Sequence, residues 1–418
     1  MREKIKKHPL ILFSDFRKLF IARLISSIGD KFFLLSLSWL VLSMDNSNSA
    51  LHLSIVMAAN IIPVVIFGPF MGTIADCINR KTCLVLADIV RAFFMAILAF
   101  LVCNDNYTIW SLFILSFLIA TFTPLFESAT NASIEILTDE ESISQAVALD
   151  SMVLQVSNLL GAFLGGVVIY AVGIKGAFIF NALSFIVSLV IILFIHTNLS
   201  VKKSTMAKNF RQEFGQGFKY ILSIKPLFAL IIFFLIFNFF VSPIAIFIPL
   251  IVKFVINEQS NWLAILEGAV ALGSVIITLL LSFRNDINEK MYKKIFISVL
   301  TMGISMSLIG LSTNRYIIAL CLFITGCTLA HVNATAYGFF QKIVPDYLKG
   351  RFFAILTTMC FSIIPITYII NGALTNIVSV STVVFYEGML SVLAAFIIIF
   401  IPKYQLGGDN YGLLYKVD

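Results

Sequence analysis

The stretch from Ser26 to Trp39, SSIGDKFFLLSLSW, sets an acid, Asp30, beside a base, Lys31, inside a long apolar run. In hydrocarbon an ionised side chain at the bilayer centre costs about 2.5–3.5 kcal/mol on insertion scales, so each needs a partner or a wet cavity. Asp30 lies 13 positions beyond Arg17, about 20 Å along a helix, which sets it near a membrane midplane. Arg23 and Ser26 share its face at i−7 and i−4. A polar stripe of this kind is expected to wall a central cavity, and a carboxyl there can take up and release a proton. The competing expectation is a buried ion pair that only holds helices together. Lys31 points about 100° away, so it need not pair with its neighbour.

The other ionisable groups in apolar runs extend this chemistry. Asp88 and Arg91 stand three apart and can reach each other on one helix face, as a structural pair or as contacts for a substrate. Glu127 follows Pro124, Glu267 lies in the outer part of a later run, and Glu387 near the outer end of the last. Asp30, Asp88, Glu127 and Glu267 are the proton-coupling candidates. Arg23, Lys31 and Arg91 are the candidates for an anionic substrate, with Asn60, Asn238 and Gln155 as uncharged lining. Of the four histidines only His331 is deep in a run, which suits helix packing, so a membrane-embedded transferase is a remote alternative. The six cysteines form no CxxC and are expected as small buried hydrophobes, with no metal site. No cofactor is expected, and the lack of a Gly-x-x-x-x-Gly-Lys-Ser/Thr stretch argues against an ATP-driven pump.

The elements that must carry these groups are membrane helices. The 418 residues are 60% hydrophobic and 12% charged, with a mean hydropathy of +1.00, where a soluble domain carries about 25% charged residues. A span needs about 20 apolar residues. Twelve are expected, over 17–43, 50–73, 82–103, 109–131, 150–172, 176–197, 226–253, 262–283, 293–312, 315–340, 351–375 and 382–402. The basic start, MREKIKKHP, leads into a run that is too long and too charged for a cleaved signal, so a retained helix is expected. Of the 29 Lys and Arg, 23 fall in one set of connections and only Lys175, Lys253 and Arg315 in the other. That asymmetry predicts cytoplasmic termini and reads the net charge of +7 as a topology signal, with no nucleic-acid partner. One inner connection, 131–150, is acidic and breaks the pattern.

The connection 198–225 is long and basic, and NFRQEFGQGFKYILSI within it reads as an amphipathic surface helix. It divides the chain into two six-helix bundles, 1–197 and 226–418, that echo each other weakly. FRKLFIARLIS opens span one and KPLFALIIFFLIF opens span seven. Six plus six parallel repeats are a transporter layout with the substrate site near the midplane. Pro63, Pro69, Pro124, Pro243 and Pro365 permit bends in spans without requiring them.

Several stretches carry a family resemblance. GTIADCINRK, between spans two and three, resembles the Major Facilitator motif Gly-x-x-x-Asp-Arg-x-Gly-Arg-Arg/Lys through Gly72, Asp76, Arg80 and Lys81, with Cys77 and Asn79 departing from it. In span five GAFLGG, with Gly161, Gly165 and Gly166, is similar to the Gly-Pro-x-x-Gly-Gly motif of Major Facilitator antiporters, Ala162 replacing the proline. HPLILFSDFRKLFIARLISSIGD, LVLADIVRAF, GAFIFNALSFIVSLVI and VPDYLKGRFFAI look like the branch of macrolide efflux and enterobactin export, which includes other metallophore exporters. The basic motif of span four in drug antiporters is missing. The resemblance implies a monomeric multi-pass protein of a bacterial plasma membrane, whose partners are lipid, protons and a small molecule. It implies a secondary exporter working by proton antiport, with Gly72, Asp76, Arg80 and Lys81 as a conformational lock. The three candidate bases tilt the expected substrate to an anionic metallophore, with a lipophilic drug such as a macrolide as the alternative.

Overall fold

A backbone in hydrocarbon must satisfy its own N–H and C=O groups, which leaves helices as the solution for apolar runs of this length. The computed structural model describes residues 8–44, 48–200, 218–219, 221–283 and 290–402, leaving aside the side chains at 76, 162–164, 166–171, 282, 346–347, 350–351 and 354. The described residues are helical throughout, without a strand. The first half holds α1 (Pro9–Leu12), α2 (Ser14–Ser43), α3 (Ser49–Ala59), α4 (Ile62–Cys77), α5 (Arg80–Cys103), α6 (Ile109–Leu137) and α7 (Ile143–Leu193). The second holds α8 (Lys225–Val241), α9 (Ile244–Phe254), α10 (Ser260–Ser282), α11 (Met291–Leu311), α12 (Arg315–Ile343), α13 (Asp346–Ser362), α14 (Ile364–Ile377) and α15 (Val380–Phe400).

Three expected spans are each two helices. Span two breaks at Asn60–Ile61 ahead of Pro63, span seven at Ser242–Pro243, and span eleven at Ile363 ahead of Pro365. A proline lacks the N–H of the helix ladder and crowds the preceding turn, so the new helix starts at it. Pro69 and Pro124 stay inside α4 and α6. Spans five and six are the two arms of α7, turned at Gly173, whose φ of 73° is open to glycine at little cost. Among the described residues eleven helices are long and apolar enough to cross a membrane. The twelfth expected span, 150–172, is the first arm of α7, where several side chains lie outside the description. Much of the amphipathic stretch in 198–225, and the ends of the chain, also lie outside the described residues.

Packing within each half relies on small residues, as expected where lipid supplies no hydrophobic drive between helices. A Cβ on Gly161 would run into the Lys31 stem, and one on Gly165 would sit 2.7 Å from Leu35 Cδ1, so α7 lies directly on α2. In the second half Gly273 and Gly326 bring the α10 and α12 backbones together, and Gly303 and Gly388 do so for α11 and α15.

The halves meet where α3 packs on α14 and α7 on α10. Gly372 of α14 lies so close to α3 that a Cβ would collide with the Ser54 side chain. Asn376 Nδ2 donates to Asn48 Oδ1 at 3.3 Å, and Lys253 Nζ donates to the Leu42 carbonyl. These contacts close the seam at the end of the bundle opposite the chain termini.

Candidate functional site

Lys31 and Glu267 face each other across a cavity of about 270 Å³ bounded by both halves. The first half contributes Lys31, Ser38, Gln155 and Asn158, and the second contributes Glu267 and Ser274, with Leu34, Leu35, Met57 and Leu329 among the apolar walls. Gly161 explains how Lys31 arrives there. Its missing Cβ leaves room for the Lys31 stem between α2 and α7, and the ammonium then extends toward α10. Glu267 acts on Lys31 more strongly than Asp30 does. The two make no ion pair with each other, and both line the cavity.

Asp30 is half-buried, one residue from that cavity, and makes no hydrogen bond or ion pair among the described residues. The charges that act on it are Arg91, Lys31, Asp88 and Glu127. Glu127, on α6, is likewise half-buried and outside any ion pair among the described residues, with Arg23, Arg91 and Asp150 as its charged surroundings. Two carboxyls on spans one and four thus lie in the interior of the first half without a donor of their own.

The arginines of that half are engaged. Arg23, 4% exposed, donates through Nη1 to both oxygens of Asp150 at 2.6 and 2.7 Å, with Asn131 Oδ1 at 3.4 Å. Arg91 pairs with Asp88 on its own helix, and Asp88 also accepts from Ser188 Oγ at 2.6 Å. The Arg91 guanidinium is clamped between the Phe126 and Phe185 rings at 4.4 and 4.5 Å, an arrangement that adds cation–π attraction to the pair. Arg91 and Asp88 are both fully buried. The helix spacing that set Arg23 on the face of Asp30 is real, but Asp150 of α7 takes the guanidinium.

Of the uncharged candidates, Gln155 lines the cavity, while Asn60 and Asn238 serve the helix breaks. Asn60 donates to the Val56 carbonyl at 3.1 Å where α3 ends, and Asn238 donates to the Phe234 carbonyl at 2.8 Å one turn before the break at Ser242. In the loop between spans two and three, Lys81 donates to the Leu193 and Ile195 carbonyls at 3.0 and 2.6 Å. That placement suits a cation at a helix C-terminus and ties the loop to span six of its own half. The Arg80 Nε is buried without a partner among the described residues. Gly72 has open space beside it, the nearest group to a Cβ being Ser128 Oγ at 3.7 Å, so close helix approach is not its role here. The side chain of Asp76 and the surroundings of Gly166 lie outside the described residues.

Sequence reasoning did not single out Asp150, Asn131, Asn158, Ser38 or Ser274. The acidic connection 131–150 was the available signal for Asp150: an acid-rich segment entering a span has a base to meet inside it, and that base is Arg23.

A family model described as transmembrane secretion effector matches residues 9–408. Macrolide efflux protein A of Streptococcus pyogenes is 26% identical over 364 residues, which cover 84% of this chain and 88% of that protein. The staphyloferrin A transporter of Staphylococcus aureus is 22% identical, over 96% of this chain and 98% of its own. Among solved structures, the nucleoside transporter NupG matches with a TM-score of 0.74 at 14% identity, over 94% of this chain and all of that one. A POT family transporter in complex with 5-aminolevulinic acid gives the same TM-score over 93% of this chain and 96% of its own, also at 14% identity. At such identities the structures speak for the fold alone; the family model, spanning nearly the whole sequence, goes further. The chain is a membrane transporter of the Major Facilitator type and belongs to its transmembrane secretion effector family.

Proposed function

We propose that the chain is a secondary exporter that works by alternating access, moving a small organic molecule out of the cytoplasm in exchange for protons. In this reading twelve spans form two parallel six-helix bundles, 1–197 and 226–418, joined by the basic segment 198–225. Both termini are cytoplasmic, and the protein works as a monomer in a bacterial plasma membrane. With that orientation the closed seam between α3 and α14 faces outward.

The observation that carries this reading is the cavity between the halves with Lys31 on span one opposite Glu267 on span eight. A site made by both halves is loosened and remade as they rock, which alternating access requires. Asp30 is the preferred coupling carboxyl. It sits in the interior with no ion-pair partner among the described residues, whereas Asp88 is held by Arg91 and Ser188.

The substrate reading shifts from that suggested by sequence. The tilt toward an anionic metallophore drew on Arg23, Lys31 and Arg91, and two of these are matched by Asp150 and Asp88. Among the described residues Lys31 is the base outside any ion pair, against Asp30, Glu127 and Glu267 as acids outside one. That balance favours a lipophilic, positively charged drug-type molecule, as the relation to macrolide efflux protein A also does. The metallophore reading keeps one support, the relation to the staphyloferrin A transporter.

The deciding experiment compares a deletion strain with its parent for drug susceptibility and, by mass spectrometry, for secreted chelators. Increased macrolide sensitivity with unchanged supernatants supports the drug reading. Loss of a secreted chelator at unchanged drug tolerance overturns it in favour of the metallophore. No change in either removes both substrates.

A further inference from the structure

Glu387 is buried in the second half, 6% exposed, on the outer part of α15. It lies within hydrogen-bonding reach of Asn371 on α14, itself fully buried. The donor count between them does not close. Asn371 gives one of its two amide hydrogens to the Thr367 carbonyl at 3.0 Å; even with the second turned to Glu387, two acceptors, its own Oδ1 and the Oε2 of Glu387, are buried without a partner among the described residues. Reversing the Asn371 amide only moves the conflict, because its oxygen would then meet the Thr367 carbonyl.

Among the described residues no cation stands beside Glu387. Among the elements packed on α15, the lysines of α11, Lys293 and Lys294, stand in its first turn at the far end, and Lys225 opens α8 at that same end. Lys253 of α9 is taken by the Leu42 carbonyl. From α14 the nearby groups are Asn371 and the buried Tyr368, and neither brings a positive charge. A buried anion left without a cation or a full set of donors is costly, while a carboxylic acid supplies the missing donor itself.

The neighbour of Asn371 is Gly372, the residue through which α14 seals against Ser54 and Ala50 of α3 in the other half. Thr367, one turn earlier, shares a hydroxyl contact of 3.1 Å with Ser242 at the break of span seven. The acid is therefore linked through one helix to the contact that closes the outer seam.

We propose that Glu387 is a proton-binding site of the second half, occupied while α3 and α14 are in contact and emptied to the outside when they part. The neutral acid fits the closed seam. Loss of the proton leaves an anion that needs water, and parting α14 from α3 admits it. Raising the pH therefore shifts the molecule toward an open outer end. The site is separate from Asp30 and from the cavity, and it does not depend on what the cavity carries.

The test uses full-length protein in lipid nanodiscs, with the six native cysteines replaced and spin labels at Asn106→Cys and Thr313→Cys, both exposed on outer connections of opposite halves. The distance between labels is read from mildly acidic to mildly alkaline pH. Wild type is expected to lengthen as pH rises, and Glu387→Gln, which keeps a donor but cannot ionise, to stay short throughout. Infrared spectra should show a protonated-carboxyl stretch in wild type that is absent in Glu387→Gln. A pH-independent distance in wild type overturns the proposal, as does a wild-type response in Glu387→Gln or an unchanged infrared band. Should Glu387→Gln fail to fold, Glu387→Asp takes its place: a displaced pH midpoint supports the site and an unmoved one overturns it. Proton-driven export by Asp30→Asn tests the other carboxyl, so the two readings fail separately.

Discussion

The ion pair between Arg23 and Asp150 gives the sharpest test of how the interior charges are used. Arg23 is 4% exposed and meets both carboxylate oxygens, at 2.6 and 2.7 Å. Asp150→Asn leaves a buried guanidinium with a long contact to Asn131 at 3.4 Å. Breaking a buried pair by removing one partner costs about 3–5 kcal/mol. The charge of Glu127 also acts on Arg23, which sets the expected loss near the low end, about 3 kcal/mol, or roughly a hundredfold in the folding equilibrium constant. Arg23→Gln strands the acid and is expected to cost a similar amount. Removing both together, as Arg23→Met with Asp150→Leu, replaces the pair by apolar volume and is expected to cost less than about 1 kcal/mol, since such replacements are often neutral or stabilising. The assay is detergent-titrated unfolding of the purified full-length protein, with export measured in parallel. Two mild single variants whose effects simply add in the double would refute the assignment of Arg23 to Asp150 and return it to the substrate.

Other substitutions probe the seam and the packing. Asp30→Asn is expected to reach the membrane and fold normally but to lose uphill export in vesicles; normal proton-driven export would defeat the coupling role. Gly326→Ala forces a Cβ onto the Val270 backbone and is expected to cost about 1–3 kcal/mol by overpacking. Gly268→Ala, in α10 with open space beside it, is expected to be neutral or to gain up to about 1 kcal/mol, and thermal melts compare the two directly. Lys253→Met removes the donor to the Leu42 carbonyl, so Asn48→Cys in that background should react faster with a membrane-impermeant thiol reagent; an unchanged rate would show that Lys253 does not hold the outer seam.

The helical class and most spans were legible because hydrocarbon forces a long apolar run into a helix whatever its neighbours do. The need for partners was legible too, since Asp30, Lys31, Asp88 and Arg91 are costly wherever they lie. Asp88 and Arg91 are partners on one helix, and spacing alone found them. Arg23 went to Asp150 and Lys31 to the side of Glu267, on helices far along the chain, and helix periodicity only says which way a side chain leaves its own axis. Gly161 shows the same limit: its spacing announced close packing, while its effect, making room for the Lys31 stem, depends on the facing residue. Of the five prolines, those at 63, 243 and 365 open new helices and those at 69 and 124 do not. The difference lies in how neighbours support the freed carbonyls, which sequence does not contain.

The interior charges are sorted by what has to come apart. If the halves rock against each other, contacts inside one half persist through the cycle and contacts across the seam break each time. The short interior pairs lie inside the first half: Arg23 with the half-buried Asp150, and the fully buried Arg91 with Asp88 and Ser188. Across the seam the charges Lys31 and Glu267 stay beyond ion-pair distance. The seal itself uses single hydrogen bonds to neutral acceptors, Lys253 to the Leu42 carbonyl and Asn376 to Asn48. A neutral hydrogen bond contributes about 0.5–1.5 kcal/mol net and one from a charged donor about 1.5–3. The polar part of this seal thus amounts to a few kcal/mol, within what one differential protonation or one bound ligand can shift. A buried arginine–carboxylate pair across the same seam would cost as much to break as the Asp150 variant loses. Confining such pairs to one half keeps the bundle rigid while the seam stays able to open.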